Sequence, residues 1–389
     1  MMKIRKILCL ILSFSFVFGI LLVTVNAEES ILAPPSLSAK SAILIEGESG
    51  GVVCEKNAHS RLPMASTTKI MTALVALELA SPETVILVDE RAVGVEGSSI
   101  YLCAGEKLTL EELLYALLLE SANDAAVAIA IGVAGSEESF VDAMNQKATS
   151  LGLSDTHFAN PHGLDAEEHY TTAYELAKIA RVALQNPLLK TIVSTRKITI
   201  PHQNTDGVRL LVNHNKMLRQ YDGCIGMKTG YTQKSGRCLV SAAERDGVMM
   251  IAVTIDSPDD WNDHTKLLDY GFSLYRSVEL CSADFRFCLP VVGGKESYVL
   301  LGIAQQATVT IPLGAGVIEQ KIECPRHLYA PVKKGDVCGR MIFFCDTDND
   351  GITEIIKEVP LIAQYGVEQY SPRLTLWQRL LRWWQGLFS

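Results

Sequence analysis

The run Ala65-Ser66-Thr67-Thr68-Lys69-Ile70-Met71-Thr72 sets a hydroxyl and an amine three residues apart. At helical spacing the side chains of Ser66 and Lys69 share one face of a turn. Ile70 to Leu79 continues with apolar residues on nearly every face, the mark of a buried helix. The N–H groups of a helix's first turn have no partners inside it. Nucleophile, base and oxyanion donors can therefore come from one turn. Spacing alone is a weak signal. Ser194-Thr195-Arg196-Lys197 repeats it in a polar, strand-like stretch with no buried helix behind it.

Two further triplets strengthen the reading. Ser121-Ala122-Asn123 falls in a break between two apolar helices, where side chains can point into a cleft. Lys228-Thr229-Gly230 sits on a predicted strand, 224–232, and Gly230 there lets a substrate backbone approach the strand closely. A near-copy, Lys234-Ser235-Gly236, reads as a turn. Each triplet is weak by itself. All three in this order, each on a suitable element, make a strong signal.

The elements that must position these residues follow from pattern. Strands are predicted at 41–45 and 51–55, then the Ser66 helix. Thr109-Leu110-Glu111-Glu112 is a capping box opening an apolar helix to Leu119. Asp124 is expected to cap an Ala-rich helix to about Ala134. Helices are expected at 138–151, 172–185 and 263–275. Strands at 237–244 and 248–255 read as a hairpin turned at Arg245-Asp246-Gly247. Strands, helices, then strands and a last helix predict an α+β domain, its antiparallel sheet built from both chain ends with helices on both sides. A β-rich second domain is expected over 278–367, a small sandwich with strands at 298–303, 306–311, 317–324 and 337–345.

The termini read as addresses. Residues 1–27 carry Lys3, Arg5 and Lys6, an apolar run from Ile7 to Val25, and Val25-Asn26-Ala27 as a cleavage site: a secretory signal. The uncleaved alternative is an N-terminal anchor. At 371–389, Leu374, Trp377, Leu380, Leu381, Trp384, Leu387 and Phe388 recur at helical spacing, with Arg373, Arg379 and Arg382 elsewhere. Such a helix lies on a membrane surface and does not span it. The catalytic region is then 28–277, and the chain works outside the cytoplasm.

Composition agrees. Of 389 residues, 48% are hydrophobic and 20% charged, enough for two cored domains. Past residue 27, 32 basic residues face 44 acidic ones, a net of −12, which argues against a nucleic-acid partner. Ten cysteines are scattered with no paired metal-ligand spacing. His157, His162 and His169 show no helical ligand pair. Asp346-Thr347-Asp348-Asn349-Asp350-Gly351 resembles the start of a calcium loop, but the twelfth position is Lys357, and a hairpin turn is expected instead.

With their flanks, Pro63 to Thr72, Ser121-Ala122-Asn123, Asn160-Pro161-His162-Gly163-Leu164-Asp165 and Gly226 to Thr232 resemble the low-molecular-weight D-alanyl-D-alanine carboxypeptidases, penicillin-binding serine peptidases. The resemblance runs from about Lys40 to the C-terminus. It implies a β-lactamase/transpeptidase-like fold and removal of the terminal D-alanine from peptidoglycan pentapeptide stems. It implies attack by Ser66, proton uptake by Lys69 and a proton relay through Ser121. Asn123 would hold the peptide amide, and Lys228 and Thr229 the terminal carboxylate. Gly230 and Tyr231 would line the site, the Tyr231 and Ser66 N–H groups forming an oxyanion hole. No metal or cofactor is implied, and β-lactams are expected to acylate Ser66. One departure stands out: some relatives carry an arginine near the start of the last catalytic-domain helix, and Asp256 to Lys266 has none. Two alternatives share the motifs: a β-lactamase, and a penicillin-binding scaffold without turnover.

Overall fold

The computed structural model describes residues 33–202 and 207–371, with Trp377, Trp383 and Trp384. The signal-like segment 1–27 and most of the tail helix lie outside the described residues. The three described tail tryptophans are exposed. Among the described residues no helix is long and apolar enough to cross a membrane.

The first region opens with strands β1 (Ser41–Glu46) and β2 (Val52–Lys56). Two small pairs follow, β3 (Val85–Leu87) with β4 (Lys107–Thr109), and β5 (Lys197–His202) with β6 (Gly207–Val212). Then come β7 (Cys224–Thr232), β8 (Gly236–Arg245) and β9 (Val248–Ile255). The main sheet has the order β2-β1-β9-β8-β7 and is antiparallel throughout. It joins both ends of the region, as expected, through β1 against β9. Asp246 and Gly247, with φ of 50° and 77°, make the two-residue turn between β8 and β9. That left-handed pair matches the twist of the strands it joins.

Helices α1 (Lys69–Leu79), α2 (Leu110–Leu119), α3 (Asn123–Ala134), α4 (Glu137–Ser150), α5 (Ala173–Leu184) and α6 (Pro187–Ser194) precede a single turn, α7 (Met217–Gln220), and the closing helix α8 (Asp260–Leu274). Side chains of a strand alternate between faces. Ile43 and Ile45 of β1, with Ile251 and Val253 of β9, join the core under α1 to α6. Leu44, Met250 and Ala252 point the other way, into the core under α8. Both faces are thus covered, and β7 is left as an edge. Each fully buried Leu, Ile or Met contributes roughly 1.5–3 kcal/mol, so α1, with Ile70, Met71 and Leu74 buried, is firmly seated.

Four local expectations need correction. The Ser66 turn is not α-helical: Ala65–Thr68 is a 3-10 turn, and α1 starts at Lys69. Asp124 does not cap α3. The N-cap is Ala122, and the Asp124 carboxylate instead accepts from Ser99 Oγ at 2.6 Å and Leu102 N at 3.0 Å. Helix α8 starts three residues before Asp263. Asp263 lies inside it and accepts from Ser38 N at 3.0 Å, Ala39 N at 2.9 Å and Ser257 Oγ at 2.7 Å. The decoy 194–197 spans the end of α6 and the start of β5, so its serine and lysine share no turn.

Beyond α8 come β10 (Tyr275–Cys281), β11 (Phe287–Val292), β12 (Tyr298–Gly302), β13 (Ala307–Pro312), β14 (Glu319–Glu323), β15 (Leu328–Tyr329), β16 (Val337–Cys345) and β17 (Glu354–Ala363). A six-stranded sheet, β14-β16-β17-β12-β11-β15, and the pair β10-β13 enclose a separate core. The acidic run 346–351 is the turn between β16 and β17. Asp346 accepts there from Gly351 N at 2.9 Å and Asp350 from Ile352 N at 2.7 Å. An ion pair of Lys357 with Glu48 ties this region to the loop after β1.

Candidate active site

The 3-10 turn puts Ser66 at the head of α1, directly before the buried helix. Ala65 has φ of 48°, a conformation that costs of order 1–3 kcal/mol and persists only where its surroundings impose it. They do. Thr68 Oγ1 donates to Ala65 O at 2.8 Å and bonds His169 Nε2 at 2.7 Å. His169 Nδ1 accepts from Ala159 N at 3.0 Å, so the ring proton belongs on Nε2. Gly163, with φ of 92°, lies against the same carbonyl: a Cβ there would stand 2.1 Å from Ala65 O. Only glycine lets the Asn160–Asp165 loop close over the turn.

Lys69 is 0% exposed, and its amine is fully accounted for. Nζ lies 3.0 Å from Ser66 Oγ and 2.7 Å from Asn123 Oδ1, and it also bonds the His162 carbonyl. Asn123 Oδ1 and the carbonyl can only accept. A neutral amine has two N–H groups and one lone pair. The two acceptors take the N–H groups, and the lone pair is left facing the Ser66 hydroxyl. Burial, then the Lys228 charge, hold the Lys69 amine well below its usual 10.5, while Asp124 pulls the other way.

Ser121 sits in the bend between α2 and α3 with φ of 61°. Asn123, just beyond, is 4% exposed. Its Nδ2 donates to Glu96 O at 2.6 Å, which leaves one N–H for a ligand. The facing wall, 98–102, is clamped from two sides: by Asp124, and by Arg209 of β6, which donates to Ile100 O at 3.0 Å and is ion-paired with buried Glu106.

Strand β7 closes the site. Gly230 has a different duty from the one expected: a Cβ there would meet Ser66 N at 3.0 Å and Ala65 Cβ at 3.1 Å. Its bare Cα makes room for the Ser66 turn. Lys228, on the same face of β7 as Gly230, is buried at 1% exposure, its Nζ donating to Thr229 O at 2.8 Å. Ser66, Ser121, Thr229, Gly230 and Tyr231 line one cleft of about 390 Å³. Sequence reasoning missed His214, Lys216, Arg237 and Trp261 on its rim. The short loop between β7 and β8 was the available signal for Arg237, since it forces that residue opposite Tyr231. A larger hollow, about 610 Å³, lies on the six-stranded sheet, but Arg340 within it is bracketed by Glu323 and Glu358, an ordinary surface ladder.

Neighbouring rings stay neutral. Burial, then the charges of Lys69 and His169, push His162 down to about 3; burial, then His157 and Lys69, push His169 to about 4. Burial also pulls Lys228 to about 7. An unfolded lysine keeps its proton to about 10.5. The unfolded chain therefore binds more protons between those values, and stability rises with pH across that window. Below about 7 the burial cost is complete. Lys228→Met is accordingly expected to raise the melting temperature at pH 6, by about 2–4 °C per kcal/mol recovered, with the gain shrinking toward pH 10. Calorimetry at pH 6, 8 and 10 measures it; a gain independent of pH would contradict the assignment.

Comparison with known proteins decides the family. Residues 28–259 match the family model described as D-alanyl-D-alanine carboxypeptidase, and residues 275–369 match the penicillin-binding protein 5 C-terminal domain. The chain belongs to the D-alanyl-D-alanine carboxypeptidase family. It is 35% identical over 337 residues to D-alanyl-D-alanine carboxypeptidase DacF of Bacillus subtilis, covering 84% of this chain and 85% of that one. It is 31% identical to DacC of Escherichia coli, covering 97% and 96%. Among solved structures it resembles penicillin binding protein 5 from Haemophilus influenzae (26% identity, TM-score 0.64, 87% of this chain and 100% of that one). It also resembles the carboxypeptidase DacD from Francisella tularensis (29% identity, TM-score 0.61, 87% and 95%). The chain is a serine-type carboxypeptidase of the penicillin-binding class, with a mixed α+β fold followed by a β-rich region.

Proposed function

We propose that Ser66 forms the acyl-enzyme with the penultimate D-alanine of a peptidoglycan pentapeptide stem, with Lys69 as its base. One observation carries this: a buried amine 3.0 Å from Ser66 Oγ whose N–H groups have other acceptors. Lys69 takes the hydroxyl proton as Oγ attacks the carbonyl carbon. The N–H groups of Ser66 and Tyr231 receive the oxyanion, a role supported by the close approach of Gly230 to Ser66 N. Ser121 passes the proton to the leaving D-alanine amine. Asn123 fixes Lys69 and offers its remaining N–H to the substrate amide. Water then hydrolyses the ester. β-Lactams acylate Ser66 by the same attack.

Catalysis belongs to 28–277, with 278–367 as a separate β-rich domain. The enzyme is exported under the signal at 1–27, cleaved after Ala27. It works at the outer face of the cytoplasmic membrane, held there by the basic helix from Leu374 to Phe388, whose sequence pattern supports this.

The test is D-alanine release from a diacyl tripeptide ending in D-Ala-D-Ala. Stoichiometric release over many turnovers is expected. Labelling by penicillin without release would favour a scaffold, and fast penicillin hydrolysis would favour a β-lactamase.

A further inference from the structure

A carboxypeptidase must recognise a free C-terminal carboxylate, so its cleft needs a positive group that ligand can touch. Lys228 is ill placed for that, being 1% exposed and bonded to its neighbour's carbonyl. The start of α8 offers no arginine; Asp260 and Trp261 stand there. A guanidinium reaches the same wall from the neighbouring strand. Arg237 pairs with Tyr231 across β7 and β8, and directly opposed residues share a face of the sheet. Its side chain is 44% exposed and lines the cleft that Ser66 and Thr229 line.

Two contacts from α8 orient it. Arg237 Nη2 donates to Asp260 Oδ1 at 2.7 Å, and the guanidinium carbon lies 5.8 Å from the Trp261 ring centroid. Asp260 is itself fixed: its side chain is 4% exposed, and Oδ1 also accepts from Trp261 N at 2.9 Å. A guanidinium carries five N–H groups, so this bond leaves four, in a planar fork that fits a carboxylate. The cleft's other exposed cation, Lys216, has no carboxylate partner among the described residues. It is a point charge without an oriented fork.

We propose that Arg237, held by Asp260 and Trp261, binds the free carboxylate of the departing D-alanine and so sets the exopeptidase specificity of this cleft. The inference rests on the function proposed above. It predicts that the discrimination of acid from amide lives on strand β8 of this chain and not on its last catalytic helix.

The test compares two activated substrates, an N-acyl-D-alanyl thioglycolate and its primary amide, which differ only in the leaving group's charge. Wild type, Arg237→Gln, Arg237→Lys and Lys216→Gln are assayed on both. Arg237→Gln is expected to lose roughly 10- to 100-fold in kcat/KM on the acid and little on the amide, the loss of a charge-assisted bond. Arg237→Lys should recover part of it, and Lys216→Gln should keep the wild-type ratio. Intact turnover of the amide shows the variant folded. An unchanged acid-to-amide ratio in Arg237→Gln, equal losses on both esters, or a ratio that collapses in Lys216→Gln would each overturn the proposal. A wild type that cleaves neither ester would instead sink the proposed function, a result the variants are not needed to reach.

Discussion

Ser66→Ala is expected to abolish turnover and covalent labelling together. Removal of the nucleophile in another serine hydrolase costs on the order of 10⁶ in kcat, and a similar fall is expected here. Intact-protein mass spectrometry after exposure to a labelled penicillin should show one adduct on the wild type and none on the variant. The fold should persist, because among the described residues the Ser66 hydroxyl bonds only Lys69 Nζ, and the turn is held by Thr68, His169 and Gly163. An adduct on the variant would move the chemistry to another residue.

Lys69→Met should be nearly as damaging, by another route. Methionine fills the buried volume but offers no lone pair. A lost general base typically costs about 10²–10⁴ in rate. The variant also strands Asn123 Oδ1 and the His162 carbonyl, at about 1–3 kcal/mol for each unsatisfied buried acceptor. Rapid-quench measurement of penicillin acylation against pH separates the two effects. The wild-type rate should climb as Lys69 deprotonates, with a midpoint well below 10.5. The variant should be slow and flat. Acylation at near wild-type speed would remove Lys69 from the mechanism.

The readable parts of this fold are those whose cause is local. Strand 224–232, the capping box at Thr109 and the Asp246-Gly247 hairpin follow from alternation, a reciprocal cap and turn chemistry, and all occur as expected. The order of strands and helices was enough to predict a sheet closed by both ends of the region. The hairpin of β5 and β6, helix α6 and strands β11 and β17 were not anticipated. What holds them is tertiary: Arg209 of β6, for example, is anchored on Glu106, far away in sequence. At the candidate site, motif text singled out Ser66, Lys69, Ser121, Asn123 and Lys228, which the fold brings together. It could not tell which of them face the cleft. Lys228 is buried and Gly230 faces the Ser66 turn, and both depend on how closely β7 packs against the 3-10 turn. Arg237 belongs to no motif; its place comes from register, which only the short β7–β8 loop hinted at, and from its bond to Asp260.

The pairing of β1 with β9 carries a consequence for biosynthesis. The first strand to emerge from a ribosome or a translocation channel must wait for the last one of the sheet before it has its inner neighbour. The hydroxyl and amine leave early, yet the wall that shapes their cleft, β7 and β8, arrives late. A nascent chain stopped before Cys224 therefore carries Ser66 and Lys69 without the strands that line their cleft. Pairings between such distant segments also fold slowly, which leaves an interval in which a chaperone or a protease can act.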